Sequence, residues 1–94
     1  MLVALERFDL RIPVCHSLKE KRHVVKTLTN AIRSSFNVSV AEVDHHDLWQ
    51  RATLAVVAVA TDGAHAEREL QAVVSEIERH EPGLITRTEI GHLA

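Results

Sequence analysis

The sequence contains few of the residues that form phosphate loops, disulfides and base-stacking surfaces. Its 94 residues include three glycines, one cysteine, one tryptophan, two phenylalanines and no tyrosine. The three glycines are well separated, which excludes a glycine-rich phosphate loop. A lone cysteine forms no internal disulfide and is typical of a reducing cytoplasm. The scarcity of aromatics argues against an RRM-type sheet, because such sheets stack bases on the aromatic residues of adjacent strands.

Long apolar runs and a strong net charge are also absent. No run approaches the ~20 apolar residues that span a bilayer, and the N-terminal segment mixes acids and bases, unlike a signal peptide. We therefore expect a cytoplasmic protein with no membrane partner. The net charge of −2 excludes a wholly basic nucleic-acid binder, so any RNA contact requires a local patch. The length, 46% hydrophobic content and 26% charged content predict one globular domain over residues 1–94.

Four segments have the patterns of β-strands. In "ALERFDLRI" the apolar residues alternate with polar ones, and only Glu6 interrupts the apolar face. Residues 37–44 form the second predicted strand. The apolar run "ATLAVVAVAT" is typical of a central strand covered on both faces, and "LITRTEIGHL" predicts a last strand at an edge.

Two segments have the period of amphipathic helices. Ser17 and Glu20 form a capping-box pattern, which predicts a helix from about Leu18 to Ser35. A second helix is predicted from Ala64 to about Arg79, where "HEPG" ends it. The resulting order βαββαβ predicts an α+β, ferredoxin-like sandwich, a four-stranded antiparallel sheet with both helices on one face.

The first helix carries a basic face that contains no acid. Cations are disfavoured at a helix N-terminus, so their presence there suggests an external anion, with the free N–H groups of the first turn assisting. The candidate nucleic-acid or anion ligands are Lys19, Lys21, Arg22, Lys26 and Arg33 on the helix, with Arg51 and Trp49 on the adjoining hairpin. The alternative is that these cations form exposed ion pairs with Glu20, Asp44 and Asp47, which contribute about 0–1 kcal/mol each.

Histidines and the cysteine are expected at the end of the molecule where the first helix begins. The residues with metal-ligand chemistry there are His16, His45, His46, Asp47 and His80. They lack the H-x-x-x-H or C-x-x-C spacing of metal sites, so we predict neither a metal nor another cofactor. Cys15 is more simply a half-buried apolar residue than a nucleophile activated by a neighbouring histidine. Since no catalytic motif is present, we expect no catalytic residue and a non-enzymatic role.

Two stretches, "SLKEKRHVVK" and "FNVSVAEVDHHDLWQRATLAVV", resemble the YlxP-like family of small bacterial domains of unassigned function. The resemblance covers nearly the whole chain. It implies a ferredoxin-like fold and, because genes of this family often lie beside those for translation initiation and ribosome maturation, a role near the ribosome. It implies no catalytic residues.

Three hypotheses of function follow. The first is an accessory factor that binds RNA or a ribosomal particle through the basic helix face. The second is a protein-interaction module or homodimer that uses the open sheet face, where Val3, Leu5, Val57 and Val59 form an apolar centre. The third is a regulatory domain that binds a small ligand or metal at the loop end.

Overall fold

The residues that the structure describes form four strands and two helices in the predicted order βαββαβ. The computed structural model describes residues 1–13, 15–45 and 47–92, with only the backbone described for His92. The elements are β1 (Leu2–Arg11), α1 (Leu18–Ser35), β2 (Val38–Asp44), β3 (Arg51–Ala60), α2 (Gly63–His80) and β4 (Ile85–His92). The last predicted strand extended to Leu93, which lies outside the described residues.

The strands form one antiparallel sheet in the order β2-β3-β1-β4. β1 pairs along its whole length with β3, from Leu2 opposite Ala60 to Arg11 opposite Arg51. On its other side β1 pairs with β4, where Glu6 lies opposite Ile90. This strand order with this sequence of elements is the ferredoxin-like arrangement, so the predicted fold is confirmed.

Both helices pack against the same face of the sheet, α1 on β2 and α2 on β3 and β1. The alternation in β1 sends Ala4, Phe8 and Leu10 toward the helices, where each is at most 1% exposed. Ile32 of α1 and Val73 of α2 close over them and are fully buried. The predicted apolar face of the first strand is therefore confirmed, and each helix has one buried apolar side, as expected for an amphipathic helix.

The other face of the sheet is open, and the prediction that β3 is covered on both faces is wrong. Val59 of β3 is 65% exposed, and Ala55 and Val57 are only half-buried. The run "ATLAVVAVAT" is apolar on both sides because its outer positions hold valine and alanine, not because a second layer covers them.

Three connections meet at one end of the molecule, as the topology predicted. The backbone N–H of Ile12, after β1, donates to the carbonyl of Gln50 in the β2–β3 hairpin at 2.8 Å. The N–H of Arg11 donates to the carbonyl of Leu84, before β4, at 2.9 Å. The start of α1 therefore lies beside the hairpin and beside the segment that follows α2.

Candidate nucleic-acid interface

Helix α1 begins at the predicted cap. The N–H of Glu20 donates to Oγ of Ser17 at 3.1 Å, which satisfies one of the free donors of the first turn. The Glu20 carboxylate accepts from the N–H of His16 at 2.7 Å, one residue before the cap itself. The carboxylate of Glu20 is thus engaged with the backbone at the start of α1, and no ion pair joins it to Lys19 among the described residues.

Lys21 does not lie on the basic face, and its interpretation as an external anion ligand is wrong. Its side chain is 1% exposed, and its Nζ lies 2.8 Å from Oε2 of Glu42 in β2. The same Nζ donates to the carbonyl of His45 at 2.6 Å and to the carbonyl of Arg51 at 3.2 Å. A buried ammonium requires such partners, so Lys21 binds the hairpin to the start of α1.

The backbone conformation of the hairpin brings the His45 carbonyl to the Lys21 ammonium. His45 has a φ of 61°, in the left-handed region that few residues other than glycine adopt, although histidine is among those enriched there. The N–H of His45 donates to Oδ1 of Asp44 at 2.7 Å. The chain therefore reverses at His45 with its carbonyl directed toward the Lys21 ammonium.

The remaining cations of α1 form an exposed surface that we call the α1 stripe, namely Lys19, Arg22, Lys26 and Arg33. Among the described residues, no carboxylate lies within 4.0 Å of Lys19, Arg22 or Lys26. Arg33 donates through Nη2 to the carbonyl of Val40 at 2.8 Å, which fixes that guanidinium beside β2 while the residue stays exposed. The predicted alternative was exposed ion pairs with Glu20, Asp44 and Asp47. Lys21 instead forms a buried pair with Glu42, and Lys19, Arg22 and Lys26 form no ion pair among the described residues.

The hairpin places an exposed aromatic residue next to a cation. Trp49 is 51% exposed, and together with Leu48 and Arg51 it lines a shallow surface depression. Nε2 of Gln50 donates to the carbonyls of Pro13 and Cys15, both at 3.2 Å, and this anchors the hairpin to the loop before α1. Trp49 and Arg51 are therefore held near the first turn of α1, as the topology predicted.

The candidate metal ligands that the structure describes do not form a site. Among residues 1–13, 15–45 and 47–92, no group of three histidine, cysteine, aspartate or glutamate side chains is placed to hold a metal ion. His16 and Asp47 are exposed, and Nε2 of His80 lies 3.3 Å from Oε1 of Glu76. Nδ1 of His45 lies 4.0 Å from Oδ1 of Asp44, and the last candidate of that group, His46, lies outside the described residues.

Cys15 has none of the properties of a catalytic thiol. It is 1% exposed, and burial is the main cause that raises its pKa, with the nearby carboxylates of Glu20 and Glu81 acting in the same direction. A raised pKa reduces the thiolate population on which nucleophilicity depends. Cys15 is therefore a packing residue, which agrees with the preferred interpretation of the sequence.

Sequence reasoning found the wrong role for Lys21 and gave Glu6 no role at all. The signal for Glu6 in the sequence is that it interrupts an otherwise apolar strand face. The residue is 3% exposed, and burial raises the pKa of its carboxyl to about 7.

No helix among the described residues is long and apolar enough to cross a membrane.

The comparisons with known proteins identify the family. Residues 3–90 match the family described as "Protein of unknown function (DUF503)". The chain belongs to this family. A DUF503 relative, "Uncharacterized protein YlxP" of Bacillus subtilis (strain 168), is 42% identical over 79 residues, which are 78% of this chain and 82% of that protein. The resemblance to the YlxP-like family is therefore confirmed.

Among solved structures, the DUF503 chain is similar to a point mutant of SnoaB, a cofactor-independent oxygenase from Streptomyces nogalater. The alignment has a TM-score of 0.49 and 14% identity, and it covers 99% of this chain and 90% of the other. A likeness this distant carries no information about activity.

Proposed function

We propose that this DUF503 protein is a non-enzymatic accessory factor that binds RNA or a ribonucleoprotein through the α1 stripe. The observation that carries the proposal is that Lys19, Arg22 and Lys26 are exposed without a carboxylate partner among the described residues. Cations that are not neutralised by the protein itself are available to phosphates. Phosphate contacts supply most of the affinity of sequence-tolerant nucleic-acid binding.

The shape of the stripe suits a polyanion better than a single phosphate. From Lys19 to Arg33 the helix rises about 21 Å, at 1.5 Å for each residue, so the four cations are spread along a line. Because the net charge of the protein is −2, the α1 stripe is a local basic surface on an acidic molecule. An acidic remainder directs an incoming phosphate backbone to the stripe and away from other surfaces.

The hairpin extends this surface at one end. Trp49 offers an exposed ring on which an unpaired base can stack, and Arg51 beside it offers a further cation. Single-stranded RNA, or a loop within a folded RNA, is therefore the favoured ligand. The gene neighbourhood implied for the family supports a ribosomal particle as the source of that RNA, and hence a cytoplasmic location.

The proposal is tested with two double charge reversals that change the net charge equally. Arg22→Glu with Lys26→Glu removes the centre of the stripe, whereas Arg68→Glu with Arg87→Glu reverses two exposed arginines on α2 and β4. Binding of a fluorescent single-stranded RNA is followed by anisotropy, and binding of purified ribosomal particles by cosedimentation. The stripe variant is expected to lose binding, and the control variant to keep most of it.

Salt dependence gives a second readout. Three phosphate contacts to single-stranded RNA predict a slope of log affinity against log salt of roughly −2, or a loss of about 15- to 20-fold between 50 and 200 mM salt. Equal affinities for the two double variants would contradict the proposal. Binding of RNA without binding of ribosomal particles would retain the RNA role and exclude the ribosomal one.

A second candidate function is supported by the open sheet face. Val59 is 65% exposed there and lies opposite Val3, while the half-buried Leu5 and Val57 form the neighbouring pair. A contiguous apolar centre of this kind marks a protein-interaction surface, and a second copy of this chain is the simplest partner. Dimerisation through the sheet leaves the α1 stripe accessible, since the stripe lies on the opposite layer.

A further inference from the structure

Glu6 is a buried carboxylate that has no ion-pair partner among the residues the structure describes. It lies in the middle of β1, on the face of the sheet that the helices cover, and is 3% exposed. Its Oε1 is buried without a hydrogen-bond partner, and no ion pair involves Glu6 among the described residues. Native proteins rarely bury a charge in this way, so such a group calls for an explanation.

Glu6 lines a groove between α2 and the β1–β4 edge of the sheet. The groove has a volume of about 530 Å³, within the range of small-molecule sites. It exists because α2 packs on β3 and β1, while β4 lies farther out along the sheet. Ile90 of β4, directly opposite Glu6, is 55% exposed as a result.

The lining of the groove combines an apolar surface with one buried acceptor. Ala4, Ala66, Leu70 and Ile90 provide the apolar part. The polar residues on the α2 side are Glu67, Arg68 and Gln71. Among these, Arg68 is the only cation, and it forms no ion pair with Glu6. Burial alone raises the pKa of Glu6 to about 7, which agrees with a carboxyl that has no cationic neighbour at hand.

We propose that this groove binds a small organic cation, an ammonium or amidinium group on an apolar body, whose N–H groups pair with the Glu6 carboxylate. The cation supplies the hydrogen-bond donors and the positive counter-charge that the Glu6 carboxylate lacks. Such charge-assisted hydrogen bonds are stronger than hydrogen bonds between neutral groups. The apolar body is accommodated by the side chains of Leu70 and Ile90. This site lies on α2 and the sheet edge and does not depend on the α1 stripe.

Benzamidine is a suitable probe, and benzamide is its neutral counterpart of nearly the same shape. Each is titrated into the full chain while the methyl resonances of Leu70 and Ile90 are followed by NMR. Benzamidine is expected to shift these resonances at concentrations up to tens of millimolar, the range in which a fragment of this size is informative. Benzamide is expected to bind at least about tenfold more weakly, since it brings no charge.

Two variants and the pH assign the effect to Glu6. Glu6→Gln keeps the shape of the side chain but removes its charge, and Ile90→Lys places an internal ammonium opposite Glu6. Each variant is expected to bind benzamidine about tenfold or more weakly than the wild type. Wild-type binding is expected to fall roughly thirtyfold from about pH 8 to about pH 5.5, because protonation removes the Glu6 charge while the probe stays cationic. The folded state of each variant is checked by its amide spectrum.

Several outcomes would overturn the proposal. One is equal benzamidine affinity of Glu6→Gln and the wild type. Others are equal affinity for benzamide and benzamidine, or no shift of the Leu70 and Ile90 methyl groups at any concentration. Since Ile90 is exposed, the Ile90→Lys variant keeps the test decisive even if Glu6→Gln fails to fold.

Discussion

The Nζ of Lys21 lies 2.8 Å from Oε2 of Glu42, and this ion pair joins the first turn of α1 to β2 beneath the hairpin. The lysine side chain is 1% exposed and that of the glutamate 16%. The same ammonium also binds the carbonyls of His45 and Arg51, so one side chain joins the helix to both ends of the hairpin. The hydrogen bonds of Gln50 to Pro13 and Cys15 hold the same hairpin independently of Lys21.

Removal of the Lys21 ammonium is expected to destabilise the protein strongly. Lys21→Met keeps the alkyl chain but leaves a buried carboxylate and two carbonyls without this donor, so the free energy of unfolding should fall by about 3 kcal/mol. Urea unfolding measures the change. Lys19→Met is the matched control, since Lys19 is exposed and its loss should change stability by at most about 0.5 kcal/mol.

The effects of the two substitutions on RNA affinity are expected to be the reverse of their effects on stability. At a temperature where both variants are folded, Lys19→Met should weaken RNA binding, whereas Lys21→Met should leave it nearly unchanged. A stability loss for Lys21→Met no larger than that for Lys19→Met would mean that the ion pair contributes nothing to the fold.

Glu6 is expected to make stability fall as the pH rises. Its pKa is about 7 in the folded protein against an ordinary value of 4.5, so the folded state binds the proton more tightly. The stabilisation is complete below about pH 4.5 and is lost as the pH rises through 7, by about 3 kcal/mol in total. Urea unfolding from about pH 4.5 to 8 should show this decline in the wild type.

Glu6→Gln should lack this decline, because its amide does not titrate. The difference in unfolding free energy between Glu6→Gln and the wild type should therefore shift in favour of the variant as the pH rises. Glu67→Gln, which removes an exposed carboxylate beside the same groove, is the control and should follow the wild type. Parallel profiles for Glu6→Gln and the wild type would show that Glu6 titrates normally.

Trp49 is expected to report directly on RNA binding. It is the single tryptophan of the chain and is 51% exposed, so the intrinsic fluorescence at long wavelength comes from this ring alone. Stacking of a base should quench it, and Trp49→Ala should weaken binding by about 1–3 kcal/mol. Leu48→Ala, at the 41% exposed neighbour, is the control and should bind normally. Unchanged fluorescence on saturation with RNA would remove Trp49 from the interface.

The fold could be predicted from the sequence because its signals are local. The alternation in β1, the cap at Ser17 and the helical period of α1 each depend on neighbouring residues, and the element order then selects one topology. The error at β3 has a different origin. An apolar outer face looks the same in the sequence whether a second layer covers it or not.

The role of Lys21 was partly predictable and partly not. At 100° per residue Lys21 lies about 200° around the helix from Lys19, on the side of Val25 and Ile32, so the helical period already placed it inward. Its partners were not predictable, because Glu42 and the His45 carbonyl are brought to it only by the hairpin geometry. Glu6 posed the converse difficulty: its burial followed from β1, but the groove beside it depends on where α2 lies over the sheet.

A substitution at Val59 tests whether the open sheet face joins two copies of this chain. Val59 is the most exposed of the valines and leucines on that face, at 65%, and in a twofold-symmetric dimer each copy would bury it. Sedimentation should then give the wild type twice the chain mass of 10.5 kDa, and Val59→Lys, which buries two ammonium groups without partners, should sediment as the monomer. Ile90→Lys, an equally polar change on the helix-facing side of β4, should remain a dimer. A wild type that stays at 10.5 kDa at the highest attainable concentration would exclude the homodimer and leave the patch to another protein.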